Sequence, residues 1–270
     1  MPIIIEPYYE KKTIAEYLIE YPSISKVGIV FCHGVGDCVM FMNPFDKLRA
    51  LFPQVHFDII LQRGLGQEVL FPGCITVSDI NKDIESMDHD YIFKVHFPVE
   101  IDGMTKSELC CDTELGIKHI TGHKPISKIS SPLVAVHFQN TALPSVFNTP
   151  YDVAKQIWQE IKDAGCIPIE MDFTHVFHNP INERYDFIDC HVRNTPPTLE
   201  KLIGLLSSCK AVICAVSGNL QLSLSIIPDR VFFLEKEVPI TRFTYYPVPN
   251  VNVKNYQEGT IKQWLLNLSI

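Results

Sequence analysis

Short apolar runs alternate with amphipathic segments along the chain, and this alternation limits the possible folds more than any other feature of the sequence. β-Branched and aromatic residues concentrate in runs typical of buried strands, which are KVGIVFC (26–32), HFDIILQ (56–62), CITVSDI (74–80), YIFKVHF (91–97), LVAVHFQ (133–139), CIPIEMDF (166–173), DFIDCHV (186–192), AVICAV (211–216), RVFFLEK (230–236) and VPNVNV (248–253). Helical patterns occupy residues 38–51, 105–117, 151–164, 198–209, 218–227 and 259–270. Strands separated by helices build parallel sheets with helices on both faces, so we predict an α/β fold of Rossmann-like, doubly wound domains.

One stretch near the middle of the chain breaks this pattern. KHITGHKPISKISSP (118–132) shows neither strand nor helix periodicity, and its Gly, Pro and Ser residues are typical of a linker. The alternation of strands and helices starts afresh at residue 133. The sequence therefore predicts two domains, residues 1–130 and residues 131–270.

Charge and cysteine usage narrow the class of protein. The formal net charge of −8 argues against broad binding to the phosphate backbone of nucleic acids. The nine cysteines include no Cys-x-x-Cys pair, so we expect buried thiols in a reducing compartment rather than a disulfide framework. The sequence has no signal-peptide pattern and no run of about 18 apolar residues. We therefore expect a cytoplasmic protein without a transmembrane segment.

Three turns that carry polar residues directly follow predicted strands. They are HGVGD (33–37), HFQNT (137–141) and AVSGN (215–219). Ligands of open parallel sheets bind at the carboxyl ends of the strands. These three turns are therefore the candidate binding elements.

The HGVGD turn lacks the fingerprints of the common nucleotide-binding loops. It has no third glycine for a Gly-x-Gly-x-x-Gly motif and no Gly-Lys-Ser/Thr for a P-loop. Its glycine pair places backbone N–H groups and one carboxylate, Asp37, at the start of the helix predicted from Cys38. Asp37 then either caps this helix or acts as a general base.

The AVSGN turn allows two interpretations of the same kind. Ser217, Gly218 and Asn219 lie between a predicted strand and a predicted helix, where backbone N–H groups can bind a diphosphate. The same positions are compatible with a helix that is simply capped by a Ser or Asn side chain.

Two long segments carry a family resemblance. They are GDCVMFMNPFDKLRALFPQVHFDII (36–60) and TPPTLEKLIGLLSSCKAVICAVSGNLQLSLSI (195–226). In order and spacing they resemble the Gly-Asp turn with its Leu-Arg and Phe-Pro helix, and the C-terminal Ser/Thr-Gly segment, of glycosyltransferase family 9. These are the heptosyltransferase-like enzymes that add sugars to bacterial lipopolysaccharide. The resemblance implies a GT-B fold, in which two Rossmann-like domains with parallel sheets face a central cleft, with the nucleotide-sugar donor on the C-terminal domain and the acceptor on the N-terminal one.

The resemblance also implies roles for individual residues. Asp37 aligns with the family's proposed catalytic base, which takes the proton of the acceptor hydroxyl as it attacks the anomeric carbon. The donor diphosphate would be bound without a metal or cofactor by Gln139, Asn140, Thr141, Ser217, Gly218, Asn219 and Gln221. Further candidates are Glu170 and Asp172 for the ribose or base, and His33, Gly34, Gly36 and Arg63 on the acceptor side.

Three positions depart from the family pattern. Val216 replaces the Asp that precedes the family's Ser/Thr-Gly pair, and Gln221 replaces a His. The segment FNTP (147–150) offers Asn148 where the family has a Lys. Each change removes a charged contact to the donor. The sequence therefore does not identify the sugar or the nucleotide of the donor, and the resemblance does not imply that the donor is ADP-heptose.

The resemblance therefore implies an inverting, metal-independent glycosyltransferase that uses a nucleotide-diphosphate sugar and an Asp base. The acceptor would be a hydroxyl group of a glycan, a lipid-linked molecule, a protein or a small molecule. Two alternatives stay open, namely a non-catalytic nucleotide-sugar-binding scaffold and a GT-B nucleotide-sugar epimerase. His175 and His178 form a His-x-x-His pair, but no Cys or carboxylate partner indicates a metal site.

Overall fold

A computed structural model of the chain describes residues 1–7, 12–31, 34–63, 67–95, 99–101, 104–106, 132–139, 148–172, 185–193, 199–235 and 248–268. The chain divides into two compact units, Met1–Lys118 and His119–Ile270. The boundary predicted between residues 130 and 131 lies outside the described residues and stays a prediction. In the described ranges, no helix combines the length and the apolar character needed to cross a membrane.

A parallel five-stranded sheet forms the centre of the first unit. Its strands are β1 (Ile3–Ile5), β2 (Lys26–Phe31), β3 (His56–Gln62), β4 (Ile75–Val77) and β5 (Tyr91–Val95). The helices are α1 (Ile14–Glu20), α2 (Val35–Leu51) and α3 (Ile80–Asp83), with 3₁₀ turns at Gln67–Val69 and Ile84–Ser86. An antiparallel hairpin follows, with strands β6 (Val99–Ile101) and β7 (Met104–Lys106).

The strand order in the first sheet is β1-β5-β2-β3-β4, and every neighbouring pair is parallel. From β2 the chain moves outward through β3 to β4, and it then returns to place β5 on the other side of β2. The direction of winding therefore reverses at β2, which makes the carboxyl end of β2 a topological switch point. The prediction of a doubly wound parallel sheet is confirmed for this unit.

Two parts of the first unit differ from the sequence prediction. Neither β1 nor α1 was predicted, although α1 begins with a capping box in which the Thr13 side chain and the Glu16 carboxylate each accept a backbone N–H of the other residue. The helix predicted over residues 105–117 is wrong at its start, because Thr105 pairs with Glu100 in the β6–β7 hairpin. Residues 107–117 lie outside the described part.

The Asp90 carboxylate ties the start of β5 to the start of β2. Its Oδ2 accepts hydrogen bonds from Ser25 N at 2.8 Å, Lys26 N at 2.9 Å and Ser25 Oγ at 3.0 Å. These bonds favour the charged form, and the two from the backbone N–H groups of Ser25 and Lys26 contribute most to lowering the pKa of Asp90.

The Asp90→Asn variant should therefore be slightly less stable than the wild type, by under about 1 kcal/mol, because the carboxylate is exposed to solvent. A group with a lowered folded-state pKa stabilises the fold above its unfolded-state pKa of about 3.9. This contribution is lost as the pH falls through the lower folded-state value. Urea unfolding of both proteins from pH 7 to pH 2 should show the difference shrinking in that acid range. Asp88→Asn, which removes a fully exposed carboxylate that pairs with Lys26, is the matched control. A difference between Asp90→Asn and the wild type that does not change with pH would contradict the assignment.

A second parallel sheet forms the centre of the second unit. Its strands are β8 (Leu133–His137), β9 (Ile167–Asp172), β10 (His191–Arg193), β11 (Ala211–Ala215), β12 (Val231–Glu235) and β13 (Asn250–Asn252). The helices are α4 (Tyr151–Asp163), α5 (Leu199–Ser208), α6 (Gly218–Ile226) and α7 (Thr260–Asn267), with 3₁₀ turns at Pro228–Arg230 and Val253–Asn255.

The strand order in this sheet is β10-β9-β8-β11-β12-β13, again with parallel neighbours throughout. Numbered from β8, this is the 3-2-1-4-5-6 order of dinucleotide-binding folds. The winding reverses between β8 and β11, which lie side by side at the centre of the sheet. The predicted doubly wound fold is confirmed for this unit as well.

One face of the second sheet packs on α4 and α7. Alternate residues of β8, such as Val134 and Val136, join an apolar core with Ile157, Trp158 and Ile261 of these helices. The predicted strand over residues 186–192 is largely wrong, since β10 begins only at His191. The preceding residues form a turn because their aromatic side chains pack on α4 and on the end of β8 instead of entering the sheet.

The Glu160 carboxylate connects α4 to the C-terminal helix. Glu160 is 5% exposed, and its two oxygens accept hydrogen bonds from the backbone N–H groups of Gly259, Ile261 and Lys262 and from the Tyr256 hydroxyl, at 2.8 to 3.1 Å. Gly259 is the N-cap of α7 and has no side chain to offer. A residue 99 positions away in sequence therefore caps α7.

Candidate functional site

The switch point of the second sheet brings together two of the three turns singled out in the sequence. β8 ends at His137 and β11 ends at Ala215, and Cys214 is the register partner of His137. The connections from these neighbouring strands leave in opposite directions, which opens a crevice at their carboxyl ends. The polar residues that follow each strand, Gln139 on one side and Ser217 on the other, therefore lie at one edge of the sheet.

The first turn of α6 offers backbone N–H groups at this edge. Ser217 is the N-cap residue in an extended conformation, and its side chain makes no capping hydrogen bond. Its Oγ is buried and has no hydrogen-bond partner among the described residues. The first N–H groups of a helix, here those of Gly218 and Asn219, have no partner within the helix. The alternative of a side-chain-capped helix is therefore wrong for Ser217, and these donors are left to bind another group.

α6 is buried on all sides, which fixes its first turn in place. Asn219 is 8% exposed and Gln221 is 3% exposed. The Ser223 hydroxyl donates to the Asn219 carbonyl oxygen at 2.6 Å. Burial raises the pKa of the Cys214 thiol on β11 far above its usual range, and a hydrogen bond with Ser223 offsets this only in part. The thiol stays neutral and is not a nucleophile at this edge.

Gln139 lies on the other side of the switch point and is 7% exposed. His137, two residues earlier, is 4% exposed, and its Nδ1 lies 3.3 Å from the Met171 carbonyl oxygen. A carbonyl oxygen accepts only, so Nδ1 carries the proton and His137 is a core histidine. Asn140 and Thr141 lie outside the described residues, and their roles stay predictions.

Thr149 is a residue at this edge that the sequence did not single out. Its N–H donates to the Phe138 carbonyl oxygen at 2.8 Å, and its own carbonyl oxygen accepts the Tyr185 hydroxyl. Its hydroxyl is buried and has no hydrogen-bond partner among the described residues. No sequence signal indicates this, because a hydrogen bond to Phe138, which is not a near neighbour in sequence, brings Thr149 to this edge.

The two acids predicted for the ribose or base have different surroundings. Glu170 is fully buried in β9, on the face that it shares with its register partner Val136. The pKa of the nearby Tyr185 is raised, first by burial and then by the charge of Glu170. Asp172 is the last residue of β9, and its side chain lies outside the described part. Their roles stay predictions.

The third turn lies at the switch point of the first sheet. α2 begins at Val35 instead of Cys38, with Gly34 as its N-cap and Gly36 as its second residue. Asp37 is therefore the third residue of the helix. The alternative that Asp37 is the N-cap of this helix is wrong. The side chain of Asp37 and the whole of His33 lie outside the described part.

Arg63 follows the neighbouring strand β3 at the same edge of the first sheet. Its side chain is exposed, and its N–H donates to the Val77 carbonyl oxygen at 2.7 Å. In the described ranges, no group of three or more His, Cys, Asp or Glu residues is arranged to bind a metal ion. His175 and His178 fall outside those ranges.

Solved structures of known proteins are similar to this chain, whereas no protein-family model and no curated protein sequence matches it. The iron-containing dodecameric glycosyltransferase TibC from enterotoxigenic E. coli H10407 is similar over 90% of this chain and 65% of its own, with a TM-score of 0.59 and 13% identity. This chain thus spans about two thirds of the length of TibC. The ADP-heptose lps heptosyltransferase II of E. coli is similar over 83% of this chain and 88% of its own, with a TM-score of 0.59 and 11% identity. The E. coli heptosyltransferase WaaC, solved with ADP, is similar over 89% of this chain and 98% of its own, with a TM-score of 0.56 and 11% identity.

These likenesses confirm the predicted fold class. The chain has the two-unit α/β fold of heptosyltransferases, and the three similar structures described above are all glycosyltransferases. The resemblance stated from the sequence therefore holds at the level of the fold.

Proposed function

We propose that this chain is a glycosyltransferase that moves a sugar from a nucleotide-diphosphate sugar to a hydroxyl acceptor. The observation that carries the proposal is the first turn of α6. Its N–H groups lie at the switch point of a dinucleotide-type sheet, and the Ser217 side chain does not cap them. Such N–H groups bind phosphate oxygens and stabilise the charge that develops on a leaving diphosphate. The shared fold supports the proposal, since WaaC was solved with ADP.

In this proposal the donor diphosphate is held by neutral groups. The Ser217 hydroxyl and the amides of Asn219, Gln139 and Gln221 add hydrogen bonds to the N–H groups of α6. Val216 is 7% exposed and places no negative charge beside the diphosphate. Oriented dipoles in a buried site stabilise a developing anion without a metal ion, so the proposal includes metal independence.

Asp37 is the proposed general base. It lies in the first turn of α2, where the partial positive charge of the helix N-terminus stabilises a carboxylate. A carboxylate can take the proton of the acceptor hydroxyl as its oxygen attacks the anomeric carbon. The bond from this carbon to the diphosphate oxygen breaks as the new bond forms on the opposite face, which inverts the configuration.

A cytoplasmic location is part of the proposal. Four of the six cysteines that the structure describes are buried, where they pack as small apolar side chains. Nucleotide sugars, the proposed donors, would then be bound as free cytoplasmic metabolites.

A nucleotide-sugar-binding protein without catalysis is the second candidate. The uncharged residues at positions 216 and 221 favour it, because both are buried beside the α6 turn where the family resemblance implies Asp and His. Release of nucleoside diphosphate from a nucleotide sugar separates the candidates, since a scaffold binds the donor and releases none.

Thermal unfolding with ADP, UDP, GDP, CDP and TDP tests the donor site. One of them should raise the melting temperature, because a ligand at about 100 times its dissociation constant adds roughly 2.7 kcal/mol of stability. The indole of Ser217→Trp would fill the space in front of α6, so this variant should lose the shift. Ser217→Ala keeps the backbone N–H groups and should weaken binding by only about tenfold or less.

Ser86→Trp, at an exposed serine of the first unit, is the matched control and should keep the full shift. The donor site would be wrong if no nucleoside diphosphate stabilised the wild type, or if Ser217→Trp responded as strongly as the wild type.

A further inference from the structure

β1 is an edge strand of the first sheet, and among the described residues one side of its backbone has no partner strand. On its other side the Ile3 N–H donates to the Asp90 carbonyl oxygen at 3.1 Å, and β1 runs parallel to β5. Because successive residues of a strand direct their backbone groups to opposite sides, Ile4 directs its N–H and C=O groups away from the sheet. β1 therefore offers one donor and one acceptor at its outer edge.

The residues of β1 are unusual for an edge strand. Natural edge strands are commonly protected by charged or polar side chains, which hinder pairing with another chain. The edge strands of the second sheet follow this rule, since β10 has the sequence HVR and β13 has the sequence NVN. β1 consists of three isoleucines, of which Ile3 is 54% exposed and Ile4 is 37% exposed. This edge therefore carries exposed apolar side chains and no protecting charge.

The opposite edge of the first sheet is apolar as well, but its side chains are packed. Val77 of β4 is 6% exposed and joins an apolar cluster with Ile60 and Ile92. Among the four edge strands of the two parallel sheets that the structure describes, an all-apolar sequence with exposed side chains is therefore found only in β1.

The apolar surface continues from β1 onto the neighbouring helix. Tyr21, the C-cap of α1, is 41% exposed, and its ring stacks on that of Tyr91 with the centroids 6.2 Å apart. Tyr91 is the register partner of Ile3. A strand that pairs with β1 would therefore remove apolar surface from water beside Ile3 and Tyr21, in addition to satisfying the backbone groups of Ile4.

Two prolines limit the length of a partner strand. Pro2 directly precedes β1, and Pro7 follows two residues after its end. A proline has no N–H group to donate to a neighbouring strand, so the ladder that can form at this edge is short. Another β1 is limited in the same way and matches this edge in length and in its lack of charge. A second copy of the chain therefore fits the edge.

We propose that β1 pairs antiparallel with β1 of a second copy of this chain, about a two-fold axis that passes between the two Ile4 residues. The two Ile4 residues then lie directly opposite each other and exchange two N–H···O=C hydrogen bonds. Their side chains contact each other on one face of the sheet, while Ile3 of each copy lies opposite Ile5 of the other on the second face. The pairing occupies both edges and closes at a dimer. It does not depend on the proposed transferase activity.

The small size of this contact predicts a weak dimer. Three residues of strand and a few apolar side chains bury much less than the roughly 800 Å² per partner of a stable interface. The dimer should therefore form reversibly as the chain concentration rises from micromolar to millimolar.

Sedimentation velocity over this concentration range tests the proposal. The wild type should change from monomer to dimer and form nothing larger. Ile4→Lys places two ammonium groups directly opposite each other, so it should raise the concentration needed for dimers by at least about tenfold. Leu266→Lys, at a 62% exposed apolar residue of α7 in the second unit, is the matched control and should dimerise like the wild type.

Cysteine cross-linking tests the register of the pairing. Opposite residues that exchange hydrogen bonds have Cα atoms about 5.5 Å apart, within the roughly 4.4–6.8 Å that a disulfide spans. Ile4→Cys should therefore give a cross-linked dimer under mild oxidation, beyond any formed by the wild type. The two copies of Ile3→Cys would be offset by two residues, about 7 Å along the strands in addition to the spacing between them, and should not cross-link.

Four results would overturn the proposal. They are a wild type that stays monomeric at millimolar concentration, a wild type that grows beyond a dimer, an Ile4→Lys variant that dimerises as well as the wild type, and equal cross-linking of Ile3→Cys and Ile4→Cys. If Ile4→Lys folds poorly, the comparison of the two cysteine variants still decides whether the β1 strands pair.

Discussion

Replacing Asp37 with Asn should lower the rate of sugar transfer by about 10²–10⁴-fold, the contribution typical of a general base. Asn has nearly the same shape as Asp but cannot accept the proton of the acceptor hydroxyl. The assay follows release of nucleoside diphosphate from the nucleotide sugar whose nucleotide stabilises the wild type. The same variant should keep its thermal shift with that nucleotide, because the donor binds through the α6 turn.

The backbone of α2 makes this substitution a clean test. Gly34 is the N-cap and Asp37 is the third helical residue, so the carboxylate is not needed as the cap residue. Loss of a negative charge from the first turn of a helix costs about 0.3–1 kcal/mol, which a folded domain tolerates. Asp88→Asn, at an exposed acid of the same unit, is the matched control and should transfer sugar at the wild-type rate.

Two results would contradict the role of Asp37. A rate within about threefold of the wild type would exclude it as the base, since such a change is far below the range expected for one. Loss of the nucleotide shift together with the rate would make Asp37 a residue that supports the fold or the donor site. A wild type that binds nucleotide and releases none from any sugar would instead favour the non-catalytic scaffold.

Sequence patterns predicted the sheets well where a strand is apolar on both faces. The run AVICAV (211–216) contains β11, whose residues Ala211–Ala215 are all apolar and all buried. The strand predicted over DFIDCHV was largely wrong. Phe187 and Ile188 are apolar because they pack in a turn against the helical face of the sheet. A short apolar run indicates that the segment is buried, but it does not show whether the buried segment is a strand or a turn with aromatic side chains.

The location of the candidate site was also predictable, whereas its chemistry was not. The rule that ligands bind at the carboxyl ends of parallel strands is sufficient to select the turns after β8 and β11. Whether Ser217 caps α6 depends on its side-chain torsion and on the groups around it, which the sequence does not encode locally. The sequence does not predict that the Thr149 hydroxyl lies buried at this edge, because Thr149 is brought there by contacts with Phe138 and Tyr185, which are distant in sequence.

Replacing Glu160 with Gln should destabilise the protein by about 3 kcal/mol, because one buried carboxylate satisfies four donors. Three of these are backbone N–H groups at the start of α7, and the fourth is the hydroxyl of Tyr256. The amide of Gln presents N–H groups to donors on one side and has no charge to offer on the other. At least one of the four donors then lacks an acceptor and the remaining hydrogen bonds lose their charge assistance, which weakens the connection between α4 and the start of α7.

Urea unfolding of graded variants measures this effect. Tyr256→Phe removes one of the four donors and keeps the acceptor, so it should cost only about 1 kcal/mol. Burial and the charge of Glu160 raise the pKa of Tyr256 well above its usual range, so its hydroxyl stays protonated and donates at every pH used for such a measurement. Glu258→Gln, at an exposed acid beside α7, is the matched control and should change the free energy of unfolding by less than about 0.5 kcal/mol. A Glu160→Gln variant as stable as Glu258→Gln would show that α7 is capped by other groups. A loss near 3 kcal/mol, a large part of the 5–15 kcal/mol that stabilises a typical domain, would identify this single carboxylate as the main connection between α4 and the C-terminal helix.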